Sequence, residues 1–355
     1  MTLSAHSPSS PSRPLKVVQW ATGNIGLRSL MMVLDHPHLE LVGLYVYSDS
    51  KAGKDAGEIC GRAPVGVIAT NKIGDIKALG ADCVLYMPQG CDYDEICELL
   101  ASGCNVVTTR VEFHMPELLE ADLRQRLLSA CETGGTSIYS TGSSPGFITE
   151  ALPIPMLSLQ RRLDCLIIDE FADVSSRNSP DMIYKIMGFG APPYEFGAER
   201  LEHVKHGFGL SLSQLAKAIG LELDEVTVSG EVGALNDTIH IAAGEVKAGT
   251  VGAQRITVSG MRNGKALMKM RLNWYVGTDT DKGWDLRETG WRVQVQGDTP
   301  LDMSITFPIK EEDMAATTPG LTAHRAVNAV EVVCAAAPGI RTTVDLPQVI
   351  AYLGD

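Results

Sequence analysis

The sequence predicts an α/β protein in which a doubly wound parallel sheet is joined to an α+β domain with an open mixed sheet. Its 355 residues suffice for two domains at roughly 150 residues each. Up to about Ser140, short apolar runs alternate with helical patterns, which is typical of a parallel sheet covered by helices. Beyond Leu159 the runs are longer and alternate between apolar and polar residues, which favours antiparallel or mixed strands.

The composition is that of an ordinary globular protein, with 45% hydrophobic and 21% charged residues. The 43 acidic residues outnumber the 30 basic ones, which gives a formal net charge of −13. Nucleic acids and anionic membranes require a clustered positive field, so we expect neither as a partner. No apolar run approaches the ~20 residues that span a bilayer, and no signal peptide is recognisable. We therefore expect a cytoplasmic protein with small-molecule partners.

The first half of the chain is predicted to alternate between strands and helices. Residues 1–14 are rich in serine and proline, which predicts a disordered tail. Leu15–Trp20 predicts a buried strand, Ala21–Gly26 a glycine turn and Leu27–Leu34 an amphipathic helix. The later predicted strands are Leu39–Tyr47, Val67–Ala69, Cys83–Met87, Asn105–Thr109 and Thr136–Ser140, and the later predicted helices are Tyr93–Ser102 and Glu117–Thr133.

The second half is dominated by predicted strands, and its end returns to the first domain. Predicted helices cover Pro180–Met187 and Ser211–Ile219, and a C-terminal helix of about residues 321–353 is expected to pack back on the first domain. The predicted domains are residues 15–150 and 151–320. The predicted strands are Cys165–Val174, Glu225–Val232, His240–Val246, Gln254–Gly260, Ala266–Val276 and Trp291–Gly297.

The strongest motif is a glycine turn placed between the first strand and the first helix. Gly23 would let the backbone approach a pyrophosphate, and Gly26 would allow the helix to pack closely on the strand. The unpaired N–H groups at the helix N-terminus favour phosphate. A tight turn with a purely structural role is the alternative. The motif predicts a Rossmann-type dinucleotide site, and its residues are Thr22, Gly23, Asn24, Ile25 and Gly26.

The end of the second strand selects between the two nicotinamide dinucleotides. A carboxylate there would bind the ribose 2′-hydroxyl of NAD, whereas a cation with hydroxyls would accept the 2′-phosphate of NADP. Ser48, Ser50 and Lys51 suit the phosphate, while Asp49 suits a ribose. A solvated turn without a binding role is the alternative. The sequence therefore favours NADP(H) and leaves NAD(H) possible.

The carboxyl ends of the later strands are expected to converge on the nicotinamide, because ligands bind at that edge of a parallel sheet. Just beyond one of these ends lies Glu112, in a loop with aromatic and apolar neighbours. Desolvation there would raise the pKa of a carboxyl and make it a useful base, although a surface glutamate is an equal alternative. The other candidates at these ends are Met87, Pro88, Thr108, Thr109, Ser143 and Ser144.

Aromatic residues of the second domain are candidates for an apolar substrate pocket, although they could equally be ordinary core. His203 and His206 share a helical spacing, but no third ligand is evident, so we expect no metal site. The residues chosen for the pocket are Phe147, Tyr184 and Phe208.

Several of these segments together resemble the native amine dehydrogenases and 2,4-diaminopentanoate dehydrogenases, a group with a dihydrodipicolinate reductase-like first domain. The resemblance implies a homodimer, a nicotinamide dinucleotide, a second domain for substrate and dimerisation, and a catalytic glutamate after the fifth strand, here Glu112. The phosphate and dicarboxylate motifs of true dihydrodipicolinate reductases are absent, and Ser143–Gly146 departs from the Asn-Pro-Gly of relatives. The segments are Val17–Gly26, Tyr45–Ser48, Asp55–Glu58, Asn105–Thr109, Ser144–Phe147 and Thr322–Ala329.

The expected activity is that of an NAD(P)H-dependent amine dehydrogenase, which forms a primary amine from a ketone or aldehyde and ammonia and catalyses the reverse deamination. One alternative is a diaminopentanoate-type diamine dehydrogenase, in which Asp173 or Glu170 would supply a second carboxylate. A carbonyl reductase, active without ammonia, is another. The third is a dinucleotide-binding sensor without turnover.

Overall fold

The computed structural model describes residues 13–352, apart from the side chains of residues 311 and 315. The tail predicted for residues 1–14 lies outside the described residues except for its last two. The chain divides into two compact units. Unit 1 comprises the chain up to Ser143 and again from Thr318, and unit 2 comprises Ser144–Thr317. Among the described residues, no helix is long and apolar enough to cross a membrane.

The first segment of unit 1 alternates strands and helices, as the predicted pattern requires. In chain order its elements are β1 (Leu15–Trp20), α1 (Asn24–Asp35), β2 (Leu39–Tyr45), α2 (Ala56–Ile59), β3 (Ala69–Thr70), α3 (Ile73–Lys77), β4 (Cys83–Tyr86), α4 (Tyr93–Ala101), β5 (Asn105–Thr108), α5 (Ala121–Gly134) and β6 (Ser137–Ser140).

Strands dominate the rest of the chain. In order, the elements are α6 (Pro153–Leu157), β7 (Leu163–Asp173), α7 (Ala198–Ala218), β8 (Glu225–Ala234), β9 (Ile239–Ile241), β10 (Gly244–Val246), β11 (Val251–Arg262), β12 (Lys265–Tyr275), β13 (Gly290–Gly297), β14 (Leu301–Thr306), α8 (Glu311–Asn328), α9 (Val330–Cys334) and β15 (Gly339–Arg341).

Unit 1 is built on a parallel sheet with the strand order β15-β6-β5-β4-β1-β2-β3. Both faces are covered, because Val84 packs among residues of α4 and α5 while Leu85 packs among residues of α8 and α9. Burial on both faces explains why these strands are nearly continuous apolar runs. The order reverses between β1 and β4, which is where such sheets bind ligands at their carboxyl edge.

Unit 2 is built on a mixed sheet with the order β14-β13-β7-β12-β11-β8, in which β7 and β12 are parallel and the other pairs antiparallel. The helix α7 packs against β8 and β11. The strands β9 and β10 form a separate two-stranded sheet. The predicted fold class, a Rossmann-type parallel sheet plus an α+β unit with a mixed sheet, is confirmed.

Three predicted elements differ most from the structure in their extent. The C-terminal helix predicted for about 321–353 ends at Cys334, and Pro338, which has no N–H group for a helical hydrogen bond, prevents the helix from resuming before β15 begins at Gly339. The strand β15 was not predicted from the sequence. The helix predicted at Ser211–Ile219 begins a full 13 residues earlier, at Ala198. The strand predicted at His240–Val246 is split by a turn into β9 and β10.

Candidate active site

The glycine turn joins β1 to α1 and leaves the helix N-terminus open. Gly26 packs so closely on the turn that a Cβ there would lie 2.3 Å from the carbonyl oxygen of Ala21. Gly23 is the N-cap, it faces open space, and no side chain caps the helix. The backbone amides of the first turn, including those of Asn24 and Ile25, are therefore available at the positive end of the helix dipole. This geometry fits the pyrophosphate of a dinucleotide.

A cleft of about 560 Å³ opens over this turn within unit 1. Six of the predicted cofactor residues line it: Thr22, Gly23, Ser48, Lys51, Met87 and Pro88. Its remaining walls, which the sequence analysis did not nominate, are Ala21, Val46, Tyr47, Gln89, Gly90, Cys91, Asp92 and Glu95.

The loop after β2 places a cation beside the glycine turn. The Lys51 ammonium donates to Thr22 Oγ1 at 2.9 Å and to the Thr22 carbonyl oxygen at 3.3 Å. The hydroxyls of Ser48 and Ser50 lie 2.6 Å apart. Asp49 instead accepts a hydrogen bond from Asn71 Nδ2 at 2.8 Å, so its carboxylate already has a partner.

An aromatic and carboxylate network forms one wall of the cleft. Trp20 stacks on Tyr45 with ring centroids 3.7 Å apart, and its indole N–H donates to the Tyr47 hydroxyl at 3.0 Å. The hydroxyls of Tyr47 and Tyr86 donate to Glu95 Oε2 at 3.1 and 3.0 Å. Burial raises the pKa of Tyr47 to about 12 and also raises the pKa of Glu95, although the two phenols oppose the shift at Glu95.

Four candidates at the strand ends occupy different environments. Thr108 is fully buried, and its hydroxyl donates to the Tyr86 carbonyl oxygen at 2.7 Å, so it ties β5 to β4. Thr109, the next residue, is partly buried. The Ser143 hydroxyl lies 2.7 Å from that of Thr322. Ser144 is the first residue of unit 2.

Glu112 lies on a single helical turn, Val111–Phe113, just after β5. The fully buried ring of Phe113 anchors this turn in the core. The Glu112 side chain is 11% exposed, and its Oε1 accepts a hydrogen bond from Arg110 Nη2 at 2.5 Å. Arg110 also donates to the carbonyl oxygen of Gln89, which lines the cleft. Arg110, which holds Glu112 in place, was not predicted from the sequence.

The second carboxylate oxygen of Glu112, Oε2, is the atom that is available to a ligand. Oε2 is buried, and no described residue donates a hydrogen bond to it. A buried acceptor without a donor is costly in a folded protein, and it is therefore notable wherever it occurs. One oxygen is held by a guanidinium and the other has no partner in the described part of the chain, so this carboxylate can accept a proton or a hydrogen bond from a ligand.

The three aromatic candidates of unit 2 lie on different elements. The Phe147 ring has its centroid 6.3 Å from that of Trp291. Tyr184 packs in an apolar cluster with Ile183 and Val246, and Phe208 lies partly buried on α7. In the described part of the chain, no group of three or more histidine, cysteine, aspartate or glutamate side chains is arranged to hold a metal ion.

Comparison with known proteins identifies the family. Residues 172–355, more than half of the chain, match the model of the 2,4-diaminopentanoate dehydrogenase C-terminal domain. The chain belongs to the 2,4-diaminopentanoate dehydrogenase family. The family predicted from the sequence is thus confirmed.

Relatives of this member of the 2,4-diaminopentanoate dehydrogenase family match nearly its whole length. An amine dehydrogenase from Streptomyces virginiae is 28% identical over 347 residues, which cover 94% of this chain and 96% of that one. A 2,4-diaminopentanoate dehydrogenase from Acetoanaerobium sticklandii is 23% identical over 354 residues, 96% of each chain. The structure of an amine dehydrogenase from Mycobacterium smegmatis shares the fold, with a TM-score of 0.71, 18% identity and coverage of 97% and 99%. The predicted class, an oxidoreductase acting on amines, is confirmed at the level of the family.

Proposed function

We propose that the protein is an NAD(P)H-dependent amine dehydrogenase that converts a ketone or aldehyde and ammonia to a primary amine, and catalyses the reverse deamination. The observation that carries the proposal is Glu112, a carboxylate held by Arg110 through one oxygen while its other oxygen has no donor among the residues that the structure describes. Family membership supports the reaction class.

The balanced reaction shows which proton transfers and charges the residues of the chain must handle. A carbonyl compound, an ammonium ion, NAD(P)H and a proton give a primary ammonium, NAD(P)⁺ and water. Only neutral ammonia is nucleophilic, so Glu112 accepts a proton from the ammonium ion. Its negative charge then stabilises the iminium that forms as water leaves. Arg110 keeps the carboxylate oriented, and the bound nicotinamide supplies the hydride.

The cofactor would be held at the carboxyl edge of the parallel sheet. The open N-terminus of α1 and the glycines Gly23 and Gly26 suit the pyrophosphate. Lys51 with the hydroxyls of Ser48 and Ser50 suits a 2′-phosphate, and the hydrogen bond that Asp49 accepts from Asn71 makes it a poorer ribose ligand. We therefore propose NADP(H) as the favoured cofactor, with NAD(H) as the second choice.

The remaining proposals concern the organisation of the protein. Residues 15–150 would form the dinucleotide-binding domain with the returning C-terminal segment, and residues 151–320 the domain for substrate and dimerisation. The protein would act as a cytoplasmic homodimer on small carbonyl compounds or amines. These proposals rest on the family resemblance and on the placement of the glycine turn.

The decisive experiment measures oxidation of NADPH and of NADH with a panel of ketones and aldehydes, with and without ammonium at about pH 9, where free ammonia is abundant. We expect oxidation that depends on ammonium, with NADPH the better reductant. Oxidation without ammonium would make the protein a carbonyl reductase. Cofactor binding without oxidation of either nucleotide in the presence of ammonium would contradict the proposal.

A further inference from the structure

The cleft over the glycine turn contains a second group of polar side chains besides Lys51. It includes Glu95 of α4 and Tyr47 of the loop after β2, and both residues line the cleft. The Tyr47 hydroxyl accepts the Trp20 indole N–H at 3.0 Å and donates to Glu95 Oε2 at 3.1 Å. Because β4, β1 and β2 are neighbours in the sheet, these hydrogen bonds connect the carboxyl ends of three adjacent strands.

The two oxygens of the Glu95 carboxylate have different surroundings. Oε2 accepts hydrogen bonds from the hydroxyls of Tyr47 and Tyr86. Among the described residues, no donor forms a hydrogen bond with Oε1, and no lysine, arginine or histidine forms an ion pair with Glu95. Oε1 is therefore an acceptor of fixed orientation that an N–H group of a ligand can reach from the cleft.

An exposed aromatic ring lies beside this acceptor. Tyr47 is 53% exposed, although its hydroxyl is held by both Trp20 and Glu95. Its ring meets that of Tyr45 at 85°, with centroids 5.2 Å apart. An exposed ring held in one orientation can stack with a planar heterocycle, and every nucleobase has a face suited to such stacking. The ring and the acceptor together fit a nucleobase that carries an exocyclic amino group.

The covalent structure of the proposed cofactor indicates which of its parts would meet these residues. In NADP(H) the adenosine ribose carries its phosphate at C2′ and adenine at C1′, which are adjacent carbon atoms. Lys51 and Ser48 suit that phosphate, and Ser48 directly follows Tyr47 in the chain. Adenine would therefore lie near Tyr47 and Glu95, whereas the nicotinamide would lie beyond the pyrophosphate. A cationic ligand fits less well, because the Lys51 ammonium lines the same cleft.

We propose that Glu95 recognises adenine, whose exocyclic amino group donates to Oε1 while the purine stacks on Tyr47. Carboxylates accept hydrogen bonds from the exocyclic amino groups of nucleobases in the same way when proteins bind DNA. The proposal rests on the proposed dinucleotide site and adds to it a specificity residue, which distinguishes adenine from a purine with a carbonyl oxygen at the same position.

The test compares NADPH with reduced nicotinamide hypoxanthine dinucleotide phosphate, in which a carbonyl oxygen replaces the adenine amino group. Fluorescence of the reduced nicotinamide, which both nucleotides carry, reports binding without turnover. We expect the wild type to bind NADPH about tenfold or more tightly than the analogue, because the carbonyl oxygen gives the carboxylate no donor. In Glu95→Gln this ratio should fall below about threefold, because an amide can donate to a carbonyl oxygen as well as accept from an amino group.

Two further variants are matched to this one. Glu98→Gln removes a negative charge one turn further along α4, at a residue whose ion pair with Lys77 lies outside the cleft lining, and it should keep the wild-type ratio. Tyr47→Leu should weaken the binding of both nucleotides by about fivefold or more, because stacking does not depend on the amino group.

These binding measurements separate failure of this proposal from failure of the proposed function. A ratio that is present in the wild type and lost in Glu95→Gln supports the proposal even if no carbonyl compound is aminated. Equal affinity of the wild type for both nucleotides, or an unchanged ratio in Glu95→Gln, would overturn the recognition of adenine by Glu95. Unchanged binding in Tyr47→Leu would overturn the stacking. A wild type that binds neither nucleotide would contradict the dinucleotide site itself, and this proposal with it.

Discussion

The acids of the two units differ in the partners that surround their carboxylates. In unit 1, Glu112 is held by a guanidinium and Glu95 by two phenols, so each carboxylate has a fixed orientation. In unit 2, one face of β7 gives Asp169 an arginine and an asparagine, while the other leaves Glu170 among rings. The comparison teaches that burial alone does not distinguish a structural acid from one that is available to a ligand. The number and charge of its partners do.

The largest expected effect is on turnover, and it tests Glu112, the carboxylate of unit 1 that Arg110 holds. Glu112→Gln keeps the shape of the side chain but removes the base, so we expect kcat to fall by about 10³-fold, within the usual range for acid–base catalysis. The dissociation constant of NADPH should change by less than about twofold, because the glycine turn is untouched. Steady-state kinetics and fluorescence titration measure the two quantities. Full activity in this variant would remove Glu112 from the mechanism.

The second prediction tests the face of β7 on which Asp169 is paired with Arg271. Asp169→Ala leaves Arg271 without its partner in the sheet, so we expect the free energy of unfolding to fall by about 3 kcal/mol. Asp164→Ala removes an exposed acid on the same strand, paired with Arg162, and should cost less than about 1 kcal/mol. Denaturation by urea measures both variants. Equal losses would mean that burial of the ion pair at Asp169 has no energetic importance.

The third effect concerns Lys51, a cation that forms no ion pair among the described residues and is in this respect the counterpart of Glu170. Lys51→Met should weaken NADPH binding by about tenfold and leave NADH binding unchanged, because only NADPH carries the 2′-phosphate. Lys54→Met, at an exposed position of the same loop, serves as the control. A parallel loss for both nucleotides would assign Lys51 to the pyrophosphate instead.

The smallest expected effect is a gain in stability of the Glu170→Gln variant that depends on pH. Burial raises the pKa of Glu170 in the folded state, so the ionised carboxylate destabilises the fold at pH values above that pKa. Below about pH 4 the carboxyl is protonated in both folded and unfolded chains, and the penalty disappears. Glu170→Gln should therefore have a higher urea midpoint than the wild type at about pH 8 and the same midpoint at about pH 3.5. A lower midpoint at the higher pH would show that Glu170 stabilises the fold.

The sequence predicts the parallel sheet well because its signals are local. The central strands β1 and β4 are buried on both faces and are largely apolar in sequence, and the glycine turn marks β1 and α1. The strand β15 has three residues, too few for any periodicity, and its pairing with β6 is made by residues about 200 positions away in sequence. Such a strand is defined by the sheet that it joins.

The candidate site is predictable only in part, for a related reason. Glu112, Lys51 and the glycines can be predicted because each follows a strand, and the carboxyl ends of parallel strands lie at one edge of the sheet. The hydrogen-bond and ion-pair partners of these residues cannot be predicted in that way. Neither the ion pair with Arg110 nor the hydrogen-bond network at Glu95 follows from the spacing of residues in the sequence. The register that sets Trp291 opposite Glu170 joins residues 121 positions apart in sequence, so only the folded sheet reveals it.

The interrupted connectivity of unit 1 has a consequence for the order of folding during synthesis. Unit 2 is one continuous segment that ends at Thr317, whereas unit 1 resumes only at Thr318. The β6 edge is covered when Gly339–Arg341 pairs with it. On the ribosome, the complete segment of unit 2 emerges before the parallel sheet of unit 1 can close, so unit 2 can fold before unit 1 is complete. Until then the edge of β6 is exposed, and this interval is when the nascent chain is most open to mispairing.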